Sequence, residues 1–130
     1  MVISRSQRGF TLIELMIVIS MVLIMLSFAI PMYKQSIVMA KETVLKDDLF
    51  TLRRTIDEFT YDRKRAPQSL DELVQTGYLK QIPKDPITNA PNWDPIMEVD
   101  AISEGVEIGI ADIHSHSELL STQGTAYNSW

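Results

Sequence analysis

Residues 10–30 of this chain are apolar almost without interruption, and no chain of 130 residues can bury such a run inside a soluble core. The stretch reads "RGFTLIELMIVISMVLIMLSFAIP" from Arg8 onward. As a helix rising about 1.5 Å per residue it spans roughly 30 Å, the hydrocarbon thickness of a bilayer. Only Thr11, Glu14, Ser20 and Ser27 interrupt it. Serine and threonine can bond back to their own helix, so they cost little in lipid. Arg5 and Arg8 precede the run and place its front end on the cytoplasmic side, with the remainder of the chain across the membrane.

Averages conceal this division. Overall apolar content is an ordinary 45%, because a greasy front is averaged with a polar back. The back, about a hundred residues, suffices for one small core. There is no cysteine, so no disulfide and no C-x-x-C metal or haem pattern. Net charge is −5, without a basic patch interleaved with aromatics, which argues against nucleic acid. Loss of residues 1–9 would remove Arg5 and Arg8 and leave the rest more acidic still, a body that does not seek anionic lipid.

Glu14 is the anomaly. A carboxylate inside a spanning helix costs about 2.5–3.5 kcal/mol on insertion scales, less near a helix end. Three readings accommodate the segment. A cleaved secretory signal would have an apolar core of about 7–15 residues and a small-residue cleavage site; this run is longer, and Pro31-Met32-Tyr33 offers no such site. A plain membrane anchor leaves Glu14 unexplained. A cut between Gly9 and Phe10 would create an α-ammonium at the edge of the apolar zone, four residues before Glu14. Between staggered copies the two charges could pair in a low-dielectric setting, so that matched subunits would be favoured over unmatched ones.

The same residues resemble the amino terminus of the type IV pilin-like family: a short basic leader ending in Gly, then Phe-Thr-Leu-Ile-Glu-Leu. The resemblance implies a prepilin peptidase that cuts after Gly9 and methylates Phe10, and an assembly role for Glu14. Pro31 matches a proline common where the apolar helix leaves the membrane.

Pro31 lacks a backbone N–H and disfavours helix at Ile30, which predicts a kink or local unwinding there. Helical patterning then resumes. Leu45, Leu49, Leu52, Ile56 and Phe59 alternate spacings of four and three and form one apolar stripe, with the charged residues mostly off it. The stripe reads as a core face, a coiled-coil seam being the alternative that two heptad turns are too few to demand, and the whole helix is predicted over residues 10–61. Arg63-Lys64-Arg65 reads as a solvated helix end, with a contact to acidic neighbours as the alternative. Ala66-Pro67 ends the helix. Ser69-Leu70-Asp71-Glu72 fits a capping box, Leu70, Leu73 and Val74 a buried face, and Gly77 a left-handed cap. Prolines 83, 86, 91 and 95 make a braced loop with Trp93 turned inward. Residues 96–99 and 106–113 read as strands joined by a turn at Glu104-Gly105, with Val106, Ile108 and Ile110 on one face. The tail from Ser115 is polar and irregular, ending in an aromatic able to dock back.

Pro67, Ser69, Leu70 and Leu73, then Gly77-Tyr78-Leu79, Ile82-Pro83, Asp85-Pro86 and Trp93 resemble the body of the major pseudopilins of type II secretion. That resemblance implies an α+β, pilin-like fold: a long amino-terminal helix, membrane-spanning in its first half, packed on a small antiparallel sheet. It divides the chain into a leader (1–9), an apolar transmembrane and assembly helix (10–30), an amphipathic continuation (31–65) and a small globular domain (66–130). It implies a non-enzymatic filament subunit in the inner membrane with its body in the periplasm. Its partners would be copies of itself, the prepilin peptidase, minor pseudopilins, the inner-membrane assembly platform and, before assembly, membrane lipid. A surface pilin for adhesion, motility or DNA uptake is the nearest alternative. A tethered binding module and a tethered hydrolase are alternatives from other classes.

Major pseudopilins often bind calcium in the last loop, and Asp112-Ile113-His114-Ser115 resembles the approach to it. Asp112, Ser115, Ser117 and Glu118 are the candidate ligands. Calcium wants six to eight oxygens, several from carboxylates, and beyond Ser115 only Glu118 is acidic. A self-packed polar loop is the expected alternative. His114 and His116 would share a face on a strand, but no third metal ligand accompanies them. No motif sets a serine beside His114 for hydrolysis, and no phosphate loop occurs.

Overall fold

The computed structural model describes residues 9–99 and 107–130. Its elements run α1 (Leu12–Arg63), α2 (Leu70–Gln75), β1 (Asp94–Val99), β2 (Ile108–His114) and a closing 3-10 turn (Tyr127–Ser129). Contacts divide the chain into two units, Met1–Ile37 and Val38–Trp130.

In the first unit the described residues from Leu12 onward are helical and exposed. The unwinding expected at Pro31 is not found: Pro31 lies inside α1. A proline removes one helix hydrogen bond, and bonded turns on either side can carry the helix across that gap. Ser20 donates to the Met16 carbonyl (2.7 Å) and Ser36 to that of Met32 (3.0 Å), so these hydroxyls are satisfied by their own helix.

The second unit has a core of its own. The predicted stripe is buried throughout: Leu45, Leu52 and Phe59 are fully enclosed, Leu49 and Ile56 nearly so. Leu73, Trp93, Ile110, Ile113 and Tyr127 complete the cluster. Each such side chain contributes about 1.5–3 kcal/mol when withdrawn from water. Trp93 turns inward as its flanking prolines suggest, and its indole donates to the Pro83 carbonyl (2.8 Å). Asp85 is fully buried. It accepts from the Ile87 backbone (2.7 Å) and from the Ser115 hydroxyl, tying the proline loop to the residues after β2.

The short helix follows its sequence signals with one shift. Ser69 accepts from the Glu72 N–H as N-cap, and Gly77 is left-handed with φ +85°. Glu72, however, does not close the capping box on Ser69. Its carboxylate accepts from the Gln68 N–H (2.8 Å) and pairs with the Arg65 guanidinium. Arg65 thus leaves the basic triplet for an internal partner, which holds the Glu72 carboxyl below its ordinary pKa despite burial.

The sheet is antiparallel with two strands, in register Asp94↔His114 to Val99↔Ile108. The predicted turn at Glu104-Gly105 and the start of the second strand at Val106 lie outside the described residues. Simple alternation fails in both strands. All six residues of β1 are exposed, and Ile108 is exposed while Gly109 is buried. Ile96 pairs with Asp112 but Met97 pairs with Ile110, so Ala111 is an extra residue in β2. A bulge of this kind shifts the side-chain phase. It lets Ile110 and Ile113, three apart, both enter the core. Gly109 is required by close approach: a Cβ there would lie 2.5 Å from the Ala66 Cβ, and the next residue, Ile110, donates to the Pro67 carbonyl (2.8 Å).

Two charged residues of α1 hold the tail. Glu42 is buried, and its carboxylate accepts from the Thr122 N–H (2.7 Å), the Thr122 hydroxyl (2.6 Å) and the Tyr127 hydroxyl (2.9 Å). Burial raises the Glu42 pKa, but the Thr122 and Tyr127 donors and the nearby Lys46 charge outweigh it and bring the net value below the ordinary one. Burial and Glu42 together push the Tyr127 hydroxyl up to about 12. Arg53 donates to Asp112 (2.6 Å) and to the carbonyls of Ile113 (3.0 Å) and Trp130 (2.9 Å). Lys46 lies 4.6 Å from the centre of the Trp130 ring. The tail therefore has a built structure, and its terminal aromatic docks as the sequence suggests.

Gly109→Ala is expected to lower stability by about 1–3 kcal/mol through overpacking against Ala66, read as a lower unfolding midpoint of the detergent-solubilised chain. Glu42→Gln is expected to cost about 1–3 kcal/mol at neutral pH, because charge-accepting partners of Thr122 and Tyr127 are lost. A folded pKa below the unfolded one adds stability that is present above the unfolded value and lost as pH falls through the folded one. The wild type should therefore lose stability below about pH 4.5, and the Gln variant should show a flatter acid limb in unfolding midpoints taken across that range.

Candidate functional site

The candidate residues Gly9, Phe10 and Glu14 lie where α1 begins. Gly9 and Phe10 precede the helix and are exposed, Phe10 by 85%. Thr11 accepts the Glu14 N–H on its hydroxyl (3.2 Å) and the Leu15 N–H on its carbonyl (3.2 Å), the pattern of a helix N-cap. Glu14 thus stands in the first turn of α1, where the aligned peptide dipoles favour a carboxylate. Thr11-Leu12-Ile13-Glu14 has the Thr-x-x-Glu spacing of a capping box, a signal the sequence reading overlooked. The Glu14 carboxylate itself has no hydrogen bond or ion pair among the described residues, so its acceptor capacity is available to another molecule.

Downstream, the helix presents apolar side chains in every direction. Among the described residues α1 is the one helix long and apolar enough to cross a membrane, and none of its most apolar window is buried. A helix apolar all round, with its surface uncovered, needs lipid or neighbouring helices as its surroundings.

Three of the four candidate calcium ligands make hydrogen bonds within the body. Asp112 faces Arg53 and the Ile113 N–H; burial raises its pKa, but these donors hold the net value below the ordinary one. Ser115 donates to Asp85, and Ser117 accepts from the Leu119 N–H (3.3 Å). Glu118 is exposed. Among the described residues no three acidic or histidine side chains gather in a metal-holding arrangement. The two histidines part company: His114 Nε2 lies 3.5 Å from Asp112, whereas His116, beyond the end of β2, meets Asp94 at 2.8 Å. Glu42 and Arg53, which organise this region, were not singled out by sequence, and Asp85 only as part of the family resemblance. They are charged residues among other charged residues, and only contacts some thirty to eighty positions away distinguish them.

Comparison with known proteins places the chain in a family. The profile of the prokaryotic N-terminal methylation motif matches residues 4–30. Type II secretion system core protein G of Pseudomonas aeruginosa is 33% identical over 101 residues, covering 65% of this chain and 71% of that protein. The protein of the same name from Vibrio cholerae is 31% identical over 65% of this chain and 68% of its own length. Competence protein ComGC of Halalkalibacterium halodurans is 30% identical over 66% of this chain and 78% of its own. No solved structure matches significantly. With a methylation motif over its apolar helix and this similarity reaching into its α+β body, the chain belongs to the type II secretion system core protein G family, the major pseudopilins.

Proposed function

We propose that this protein is the structural subunit of a pseudopilus, the filament of a type II protein secretion system. The observation that carries the reading is the contrast within α1. Residues 45–59 bury their apolar stripe in the chain's own core, while the apolar residues from Leu12 to Ile37 are uncovered. The body has a core of its own; the amino-terminal helix needs neighbours. Before assembly those neighbours are lipid, and afterwards they are the helices of other copies.

The basic leader stays in the cytoplasm and the body enters the periplasm. A prepilin peptidase removes residues 1–9, methylates Phe10, and leaves the charged amine close to the helix start. Glu14 then pairs with the amine of an adjacent copy. Its place in the first helical turn and its free carboxylate support that role. Unmatched, the carboxylate carries the membrane penalty; matched, it does not. An inner-membrane platform and minor pseudopilins add and start the filament, and movement of the filament carries folded cargo outward. The reading invokes no cofactor; of the candidate calcium ligands, Asp112 meets Arg53 and Ser115 meets Asp85.

A second reading, a pilin serving competence, draws on the similarity to competence protein ComGC. Deletion separates the two. Loss of secreted enzymes supports the pseudopilus, and loss of transformation with secretion intact supports the second reading.

Mass spectrometry of the mature protein should find methylated Phe10 as first residue; an intact Met1 in assembled material would refute processing. Glu14→Ala should leave membrane insertion unchanged and reduce filament yield by about tenfold or more, in keeping with loss of an ion pair in a low-dielectric setting. Normal filament yield from that variant would sink the pairing account.

A further inference from the structure

Among the described residues of the body, two exposed features complement each other. The first is a cavity of about 350 Å³ lined by Lys46, Leu49, Phe50, Arg53 and Trp130. Its surface is largely apolar, Phe50 being 65% exposed, and it carries two cations on a chain of net charge −5. Its wall is rigid. The Trp130 indole donates to the Thr125 hydroxyl (2.7 Å), its ring meets Tyr127 edge-on at 5.2 Å, and its carbonyl is held by Arg53. Arg53 is committed to Asp112, which leaves Lys46 as the cation at the rim better able to meet an incoming acid.

The second feature is Glu118-Leu119-Leu120. Leu119 and Leu120 are 65% and 69% exposed, yet their backbone is fixed. The Leu119 N–H donates to Ser117 (3.3 Å), its carbonyl accepts from the Tyr127 N–H (3.0 Å), and Leu120 bridges to Ala126. Two adjacent leucines are thus displayed on an ordered loop beside a carboxylate. Ordering them in advance lowers the entropic cost of docking.

We propose that the Glu118-Leu119-Leu120 loop of one copy seats in the Lys46, Phe50, Arg53 and Trp130 cavity of a second copy. This rests on the filament reading above. The match is of kind as well as charge: apolar knob to apolar hole, and carboxylate to ammonium at the rim. A second copy is the occupant because the chain itself carries both halves, and a filament keeps copies at high local concentration. Knob and hole are different surfaces. Each docked pair therefore still offers one of each, the condition for open-ended growth and not a closed dimer.

The absence of native cysteine allows a clean test. Two differently tagged full-length chains, one Phe50→Cys and one Leu119→Cys, are co-expressed with the assembly machinery and mildly oxidised in intact filaments. The expected covalent product is a dimer carrying both tags. Filaments that form without mixed dimers, or with same-tag dimers alone, overturn the docking and leave the filament reading standing. Failure of the wild-type chain to assemble at all overturns both. As a second measurement, Glu118→Lys should cut sedimentable filament about fivefold or more, and adding Lys46→Glu should restore most of it. No restoration, with the exposed variants folded by circular dichroism, counts against the charge match.

Discussion

Apolar surface must be covered, and one helix of this protein meets that demand in two ways. Along residues 45–59 the stripe is covered by α2, β2, Trp93 and Tyr127 from the same chain. Between Leu12 and Ile37 the helix is apolar around most of its circumference and its described residues are exposed. The first arrangement makes a folded body and the second makes a subunit. A chain that solved both halves internally would be an ordinary soluble protein. One that solved neither would aggregate.

Polar groups refine this division. Glu14 has no partner among the described residues at the head of the exposed helix, where a charge is tolerable because the first turn supplies its dipole. Glu42 and Arg53 do the opposite work in the body. Buried Glu42 gathers three donors from the tail, and Arg53 gathers a carboxylate and two carbonyls. In a chain without cysteine these charge-assisted bonds fasten the last fifteen or so residues to α1. Such bonds are about twice as strong as neutral ones. The tail then stays ordered enough to display Leu119 and Leu120 and to floor the cavity beside Phe50 with Trp130.

Several elements were legible before any coordinates. The four-and-three spacing of the stripe, Ser69 as N-cap, left-handed Gly77 and inward Trp93 all follow from local rules, and each is found. The misses share a cause. Ile110 and Ile113 share the core only because a bulge at Ala111 resets the strand phase, and bulges leave no mark in composition. Glu72 reaches Gln68 and not Ser69 because Arg65 draws it aside. The histidines separate because one lies beyond the end of β2.

The sequence by itself determined the apolar helix, the motif at its head, the core-facing stripe and the family. These depend on hydrophobic periodicity and on residues adjacent in the chain, which any single sequence displays. Only the tertiary structure decided that Glu42, Arg53 and Asp85 are the body's organising charges, and that Gly109 must remain a glycine against Ala66. Those outcomes depend on which distant groups meet in space, and a carboxylate in a sequence does not state whether its partner will be water, a cation or a backbone N–H eighty residues away.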